Sequence, residues 1–350
     1  MQRTRKNAIY FLLGILLTLF LIDRGLKIFL PIPETAPIFP GYTIAEFQKL
    51  KVETIPPGSI VLIGDSSLGY SVDAAVLTDS LGMECHNLAL IAPFTVMGDY
   101  YMIEYLLRRV QPRAIIISHA FSTFHWADPT GVQKQYLLRI FDEDPNTLQS
   151  YMIRHCYISR NQSILKKLFF THRGGLNKNA ARAYRDLLNP EDWKITYAQH
   201  DFLPQSEKLV VPDNLRFEKF KPHSFHFLDE WLSRCADLCE TNNVELYVMF
   251  SPVLENWFTS NEDFAKSTRD HLLALSKDHS FVFLPLNDPM FPPQYTGDSY
   301  IHLDPDLKKY YSAWLGSILK HSPLLDSSLE SYSSALKETP LKWPAQQVQN

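Results

Sequence analysis

The sequence predicts an α/β protein built on a three-layer, open parallel sheet. Three observations carry that reading. Short apolar runs (Ile60–Ile63, Ala114–Ser118, Val244–Phe250) alternate with longer stretches of helical periodicity. The runs lack the apolar–polar alternation of a sheet with one wet face, as strands covered on both sides do. The first run ends at once in Gly64-Asp65-Ser66-Ser67, a small-residue turn that can lift a serine to the carboxyl edge of the sheet, where open α/β proteins place ligands.

Taken in chain order, the first element is apolar. Arg3, Arg5 and Lys6 precede an apolar run from Ala8 to Ile22, which is followed by Asp23, Arg24 and Lys27. As a helix this run measures about 22 Å, against roughly 30 Å for a bilayer core. Arg24 and Lys27 can snorkel to the interface. No small-x-small cleavage site follows Ile22, so an uncleaved N-terminal transmembrane helix over 1–30 is favoured over a cleaved signal peptide or a buried soluble helix. The basic residues before the run place the N-terminus in the cytoplasm and the rest of the chain outside it. Residues 31–57 contain Pro31, Pro33, Pro37, Pro40, Pro56 and Pro57 and read as a linker.

The main domain is expected over 58–321. Its strands are Ile60–Ile63, Cys85–Ala89, Ala114–Ser118, Val244–Phe250 and Phe281–Leu286. Its helices are Asp73–Leu81, Thr95–Val110, Phe225–Thr241, Asn261–Asp278 and Pro305–Leu319. Between about 127 and 223 the alternation breaks, and a mostly helical insertion is expected. Residues 322–350 are polar and are expected to be poorly ordered.

Composition narrows the function classes. A hydrophobic fraction of 45% fits a globular protein with a large core, and a net charge of -4 gives no argument for a nucleic-acid partner. Cys85, Cys156, Cys235 and Cys239 are too few for a disulfide scaffold, and Cys235 with Cys239 reads as a pair of small core residues. No glycine-rich phosphate loop is present, and Arg173-Gly174-Gly175 reads as a turn. His223 and His226 lack a nearby third ligand, so neither metal nor cofactor is expected. The segment 151–185 carries Arg154, Arg160, Lys166, Lys167, Arg173, Lys178, Arg182 and Arg185 with no acidic residue. It reads either as a solvated basic face or as a surface for anionic lipid or polysaccharide.

The chemistry resides in two distant motifs. Ser66 ends the first strand, and Gly297-Asp298-Ser299-Tyr300-Ile301-His302-Leu303-Asp304 lies near the last helix. A serine hydroxyl needs a neighbouring base to take its proton, and an oriented histidine is the usual one. His302 is the candidate base. Asp298 and Asp304 compete to orient it. Asp304-Pro305 has the look of a helix entry, which gives Asp304 a capping role and favours Asp298.

On these residues the chain resembles the SGNH (GDSL-like) hydrolase superfamily, and most of all its membrane-anchored, cell-envelope branch of DltD-like and AlgJ/AlgX-like proteins. The likeness covers roughly 57–125 and 224–320, with Gly64-Asp65-Ser66 and the Asp298/His302 pair as its motifs. It implies a flavodoxin-like SGNH fold, Ser66 as nucleophile, His302 as base and Asp298 as orienter. Three departures stand out. Asp298 precedes His302 by four residues, where the family has three. The second block, Asn87-Leu88-Ala89-Leu90-Ile91-Ala92-Pro93, lacks the family glycine. The third, Ser118-His119-Ala120-Phe121-Ser122, lacks the family asparagine. That leaves Ser67 N–H, Ser118, Ser122 and His119 as oxyanion candidates.

The resemblance implies a membrane-anchored, extracytoplasmic O-acyltransferase or esterase. It would act on a cell-envelope glycan or lipid through an acyl-serine intermediate. The expected location is a bacterial inner membrane, with the main domain periplasmic or at the cell surface and possible envelope-assembly partners. The competing expectation is a non-catalytic envelope protein that keeps the fold to bind a polymer or a protein.

Overall fold

The computed structural model describes residues 2–29, 43–126, 129, 132–141, 156, 158, 202, 208–211, 217, 219–220, 225–286 and 289–344. The chain divides into two compact units, Met1–Thr43 with Thr130–Ile195, and Ile44–Pro129 with Thr196–Asn350.

The first unit contains helices α1 (Gln2–Phe29) and α6 (Val132–Phe141). The α1 helix exposes large apolar side chains, among them Tyr10, Leu13, Leu17, Phe20, Leu21 and Ile28. Its apolar run ends at Asp23, a buried carboxylate that accepts the Ile158 N–H at 2.7 Å. Among the described residues no helix is long and apolar enough to cross a membrane. The transmembrane helix expected over 1–30 is therefore not found, since the apolar run stops well short of a bilayer core of roughly 30 Å. Of the expected helical insertion at about 127–223, α6 is the longest described piece. The basic segment 151–185 lies outside the described residues, apart from Cys156 and Ile158.

The second unit is the expected α/β domain. Its parallel sheet has the order β2-β1-β3-β4-β6, formed by β1 (Ile60–Gly64), β2 (Cys85–Asn87), β3 (Ala114–His119), β4 (Glu245–Phe250) and β6 (Val282–Phe283). Every residue of β1 and β3 is buried. Because successive side chains point to opposite faces, both faces of the sheet must be covered. Helices α3 (Ser66–Ser71), α4 (Ala74–Leu81) and α10 (Lys308–Leu319) pack together, as do α5 (Thr95–Leu107) and α7 (His226–Thr241). This is compatible with three layers. The strand order reverses between β1 and β3, which makes their carboxyl ends the switch point where such sheets bind ligands.

Gly64 lets these two strands meet, because a β-carbon there would overlap the Ser118 carbonyl. A short parallel pair, β5 (Val253–Leu254) with β7 (Met290–Phe291), was not foreseen. Helices α8 (Glu255–Ser260) and α9 (Glu262–Leu275) follow β5.

Two expectations about order need correction. Ten residues of the expected linker over 31–57 form helix α2 (Thr43–Val52), in which Ile44, Gln48 and Val52 are fully buried at helical spacing. Gln48 donates from Nε2 to the Ala89 carbonyl at 3.0 Å, and Lys51 from Nζ to Asn87 O at 2.9 Å. The polar tail expected over 322–350 contains helix α11 (Leu329–Glu338), which buries Tyr332 and Leu336. Its apolar residues are few but fall on one face. Beyond it, Trp343 donates to Met290 O at 2.7 Å, and Tyr295 donates its hydroxyl to Pro344 O.

Candidate active site

The site grows from two turns and one loop. At the end of β1, Asp65 caps α3 and accepts the Ser67 N–H at 2.9 Å. Aspartate suits this position because its carboxylate satisfies an amide that the helix cannot. Ser66 is thereby the first helical residue, 8% exposed. Asn87, at the end of β2, holds the other end of α3. Its Nδ2 donates to Val72 O at 2.9 Å, and its Oδ1 accepts the Ala89 N–H at 3.0 Å.

The loop after β7 folds back on itself. Thr296 bridges Leu303, Gly297 N–H donates to His302 O at 2.7 Å, and His302 N–H to Ser299 O at 3.0 Å. Both bridge residues are fully buried, which anchors the loop. This closed turn brings Asp298 and His302 together despite their four-residue spacing. His302 Nδ1 lies 2.6 Å from Asp298 Oδ1, and His302 Nε2 lies 2.9 Å from Ser66 Oγ. With Nδ1–H donating to the carboxylate, Nε2 keeps the lone pair that accepts the serine proton. Tyr70, four residues after Ser66, sets its ring 4.3 Å from that of His302, and Phe202 packs edge-on against Tyr70 at 4.9 Å.

Asp304 is not part of this arrangement. It caps the 3-10 turn Pro305–Leu307 by accepting the Asp306 N–H at 3.1 Å, and it pairs with Lys208 Nζ at 2.6 Å.

Three of the four expected oxyanion donors are engaged elsewhere. Ser67 N–H is taken by Asp65. The Ser118 hydroxyl pairs with that of Ser251 at 2.8 Å inside the core. His119 is 1% exposed and lies with Nε2 2.5 Å from Asp99 Oδ2 and Nδ1 3.4 Å from Asp65 Oδ2. Each was expected on sequence position alone, and burial decides otherwise. Ser122, in the turn after β3, makes no side-chain hydrogen bond among the described residues. The Ser66 N–H also lies in the first turn of α3, where a helix offers its amides no carbonyl partner.

Burial alone would push the Asp65 carboxyl up, but the His119 ring 3.4 Å away and the hydroxyls of Ser67 and Thr123 bring it below its ordinary value. For Asp99, burial outweighs His119 and raises it. Burial disfavours the charged His119 ring, yet Asp99 and Asp65 together carry it from 6.5 up to about 10. Sequence reasoning missed Asp99, which sits within an apolar helix, and missed the anchoring role of Asn87.

Among the described residues no group of three side chains is arranged to hold a metal. His226 is exposed at the start of α7, and His223 lies outside the described residues. A cavity of about 270 Å³ lies between Met290, Trp314 and Trp343, but none of Ser66, Asp298 and His302 lines it. No family model matches the chain, and no curated protein matches it.

Proposed function

We propose that the chain is a serine acyl-ester enzyme of SGNH type, an O-acyltransferase or esterase working at the cell envelope. The observation that carries this reading is the continuous hydrogen-bonded series from Asp298 through His302 to Ser66. The steps follow from it. His302 Nε2 takes the hydroxyl proton as Ser66 Oγ attacks the ester carbonyl carbon. The tetrahedral intermediate collapses, the alkoxy group leaves with the proton from His302, and an acyl ester remains on Ser66. His302 then deprotonates a water or a sugar hydroxyl, whose oxygen attacks the acyl carbon and frees the serine. The Ser66 N–H and the Ser122 hydroxyl are the donors left to receive the developing oxyanion.

The exposed apolar side chains of α1 and the basic residues before them support attachment to an anionic membrane surface. An envelope glycan or lipid is the acceptor class this location suggests. The resemblance to the membrane-anchored SGNH branch supports the same reading.

One observation favours a second reading. With Ser67 N–H, Ser118 and His119 engaged, the oxyanion site is poorer than a hydrolase needs, as in a non-catalytic binder of polymer or protein. A serine-directed fluorophosphonate probe separates the two. Wild type is expected to label at Ser66 and Ser66→Ala not at all, while His302→Ala slows labelling by roughly 10²–10⁴. A folded wild-type protein that does not label is the non-catalytic form.

A further inference from the structure

Under the nucleophile lies a buried set of charges that the proposed steps do not use. The side chains of Asp65, Asp99 and His119 are each at most 1% exposed. Asp65 immediately precedes Ser66. Its Oδ1 accepts the N–H and hydroxyl of Ser67, in the turn after β1. Its Oδ2 accepts the Thr123 hydroxyl at 2.5 Å and the Ala120 N–H at 3.2 Å, in the turn after β3. One carboxylate thus ties together the two turns at the switch point of the sheet. A buried carboxylate with no positive partner is strongly disfavoured. His119, at the end of β3, is the basic group beside it, and Asp99 of α5 holds the far nitrogen of that ring.

We propose that His119 and Asp99 are positioning residues for Ser66: they hold Asp65 in place as an anion, and Asp65 fixes the turns on either side of the reacting acyl group. This rests on Ser66 being the nucleophile. The ionisable groups facing the set are Asp99 from α5, the Cys235 thiol of α7, which feels the Asp99 charge, and His119 itself. His302 and Asp298 face Ser66 rather than Asp65. The raised value of His119 and the lowered value of Asp65 agree with an imidazolium–carboxylate arrangement.

Two measurements on the full chain test the proposal. The first needs no activity. In ¹⁵N NMR of the histidine rings, His119 is expected to stay doubly protonated between about pH 6 and pH 8, where an ordinary imidazole loses its charge. His119→Gln is expected to move the amide signals of Ser66, Ser67 and Ala120 together. A ring that is neutral at about pH 7, or amides that do not move, overturns the proposal.

The second measurement is the pH profile of fluorophosphonate labelling at Ser66. In His119→Gln, Asp65 loses its cation, so the acidic limb is expected to shift to higher pH. The plateau rate is expected to fall on the order of 10²-fold. Asp65→Asn, already neutral, is expected to be slow without the shifted limb and indifferent to further loss of His119. A folded His119→Gln protein with the wild-type profile overturns the proposal. If His119→Gln does not fold, Asp99→Asn replaces it, since it keeps size and a hydrogen-bonding oxygen, and the same shift of limb is read. If wild type never labels, the catalytic reading fails and the NMR arm alone decides whether the buried set holds the Ser66 turn.

Discussion

His302 Nε2 lies 2.9 Å from Ser66 Oγ, across 236 positions of sequence. The serine is fixed by a cap on α3 and the histidine by a closed loop after β7, so the pair meets only when the sheet is assembled. Aspartates on either side of His302 in sequence have separate roles, and the difference is measurable.

Asp298→Asn is expected to keep the fold but to lower turnover by about 10³–10⁴, because asparagine can hold the imidazole in the wrong tautomer. Asp304→Asn keeps a capping oxygen for the Asp306 N–H and loses only the charge that pairs with Lys208, so it costs at most about 1 kcal/mol in stability and leaves turnover near wild type. Steady-state kinetics on an activated acyl ester, with a thermal melt for each variant, compares them. Near-normal turnover of Asp298→Asn would reverse the two roles.

Gly64→Ala is expected to cost about 4 kcal/mol or more, since the new methyl overlaps the Ser118 carbonyl and must force β1 from β3. Gly82→Ala is the comparison. Gly82 is left-handed at φ 71 but has open space around it, so only about 1 kcal/mol is expected. Urea unfolding of both proteins gives the two values, and equal costs would contradict the close approach.

Alkaline stability reports on His119. Its folded value, about 10, lies above its ordinary 6.5, so the native state binds the proton more tightly than the unfolded chain. The contribution is complete below the unfolded value and is lost as pH rises through the folded one. Melting temperature is expected to fall across that window, by an amount equivalent to a few kcal/mol. His119→Gln should flatten the decline, and an unchanged slope would count against a charged His119.

Tyr332→Ala is expected to destabilise the protein by about 3–5 kcal/mol, the usual cost of emptying a large buried site. Chemical denaturation measures it. A change below about 1 kcal/mol would mean that α11 packs loosely.

What the sequence made legible was local. The apolar run Ile60–Ile63 and the Gly64-Asp65-Ser66 turn announce a strand and a lifted serine, and Asp304-Pro305 announces a cap. Asp65 carried the same capping signal, and reading it would have removed Ser67 N–H from the oxyanion candidates. The partner of His119 had no such signal. Asp99 lies between Gly98 and Tyr100 in a largely apolar helix, and only packing of α5 brings it to the end of β3. Residues 43–52 and 329–338 were hidden for a different reason. Prolines flank the first and serines fill the second, while the few residues that matter, Ile44 with Val52 and Tyr332 with Leu336, recur at helical spacing.

The loop bearing His302 is braced by residues far downstream: Tyr295, just before it, reaches Pro344, and Met290 receives Trp343. On a ribosome, β1, β3 and the serine turn emerge long before these braces do. A nascent chain therefore carries a nucleophile without its base, and reactive chemistry is withheld until synthesis has passed the residues that steady the loop.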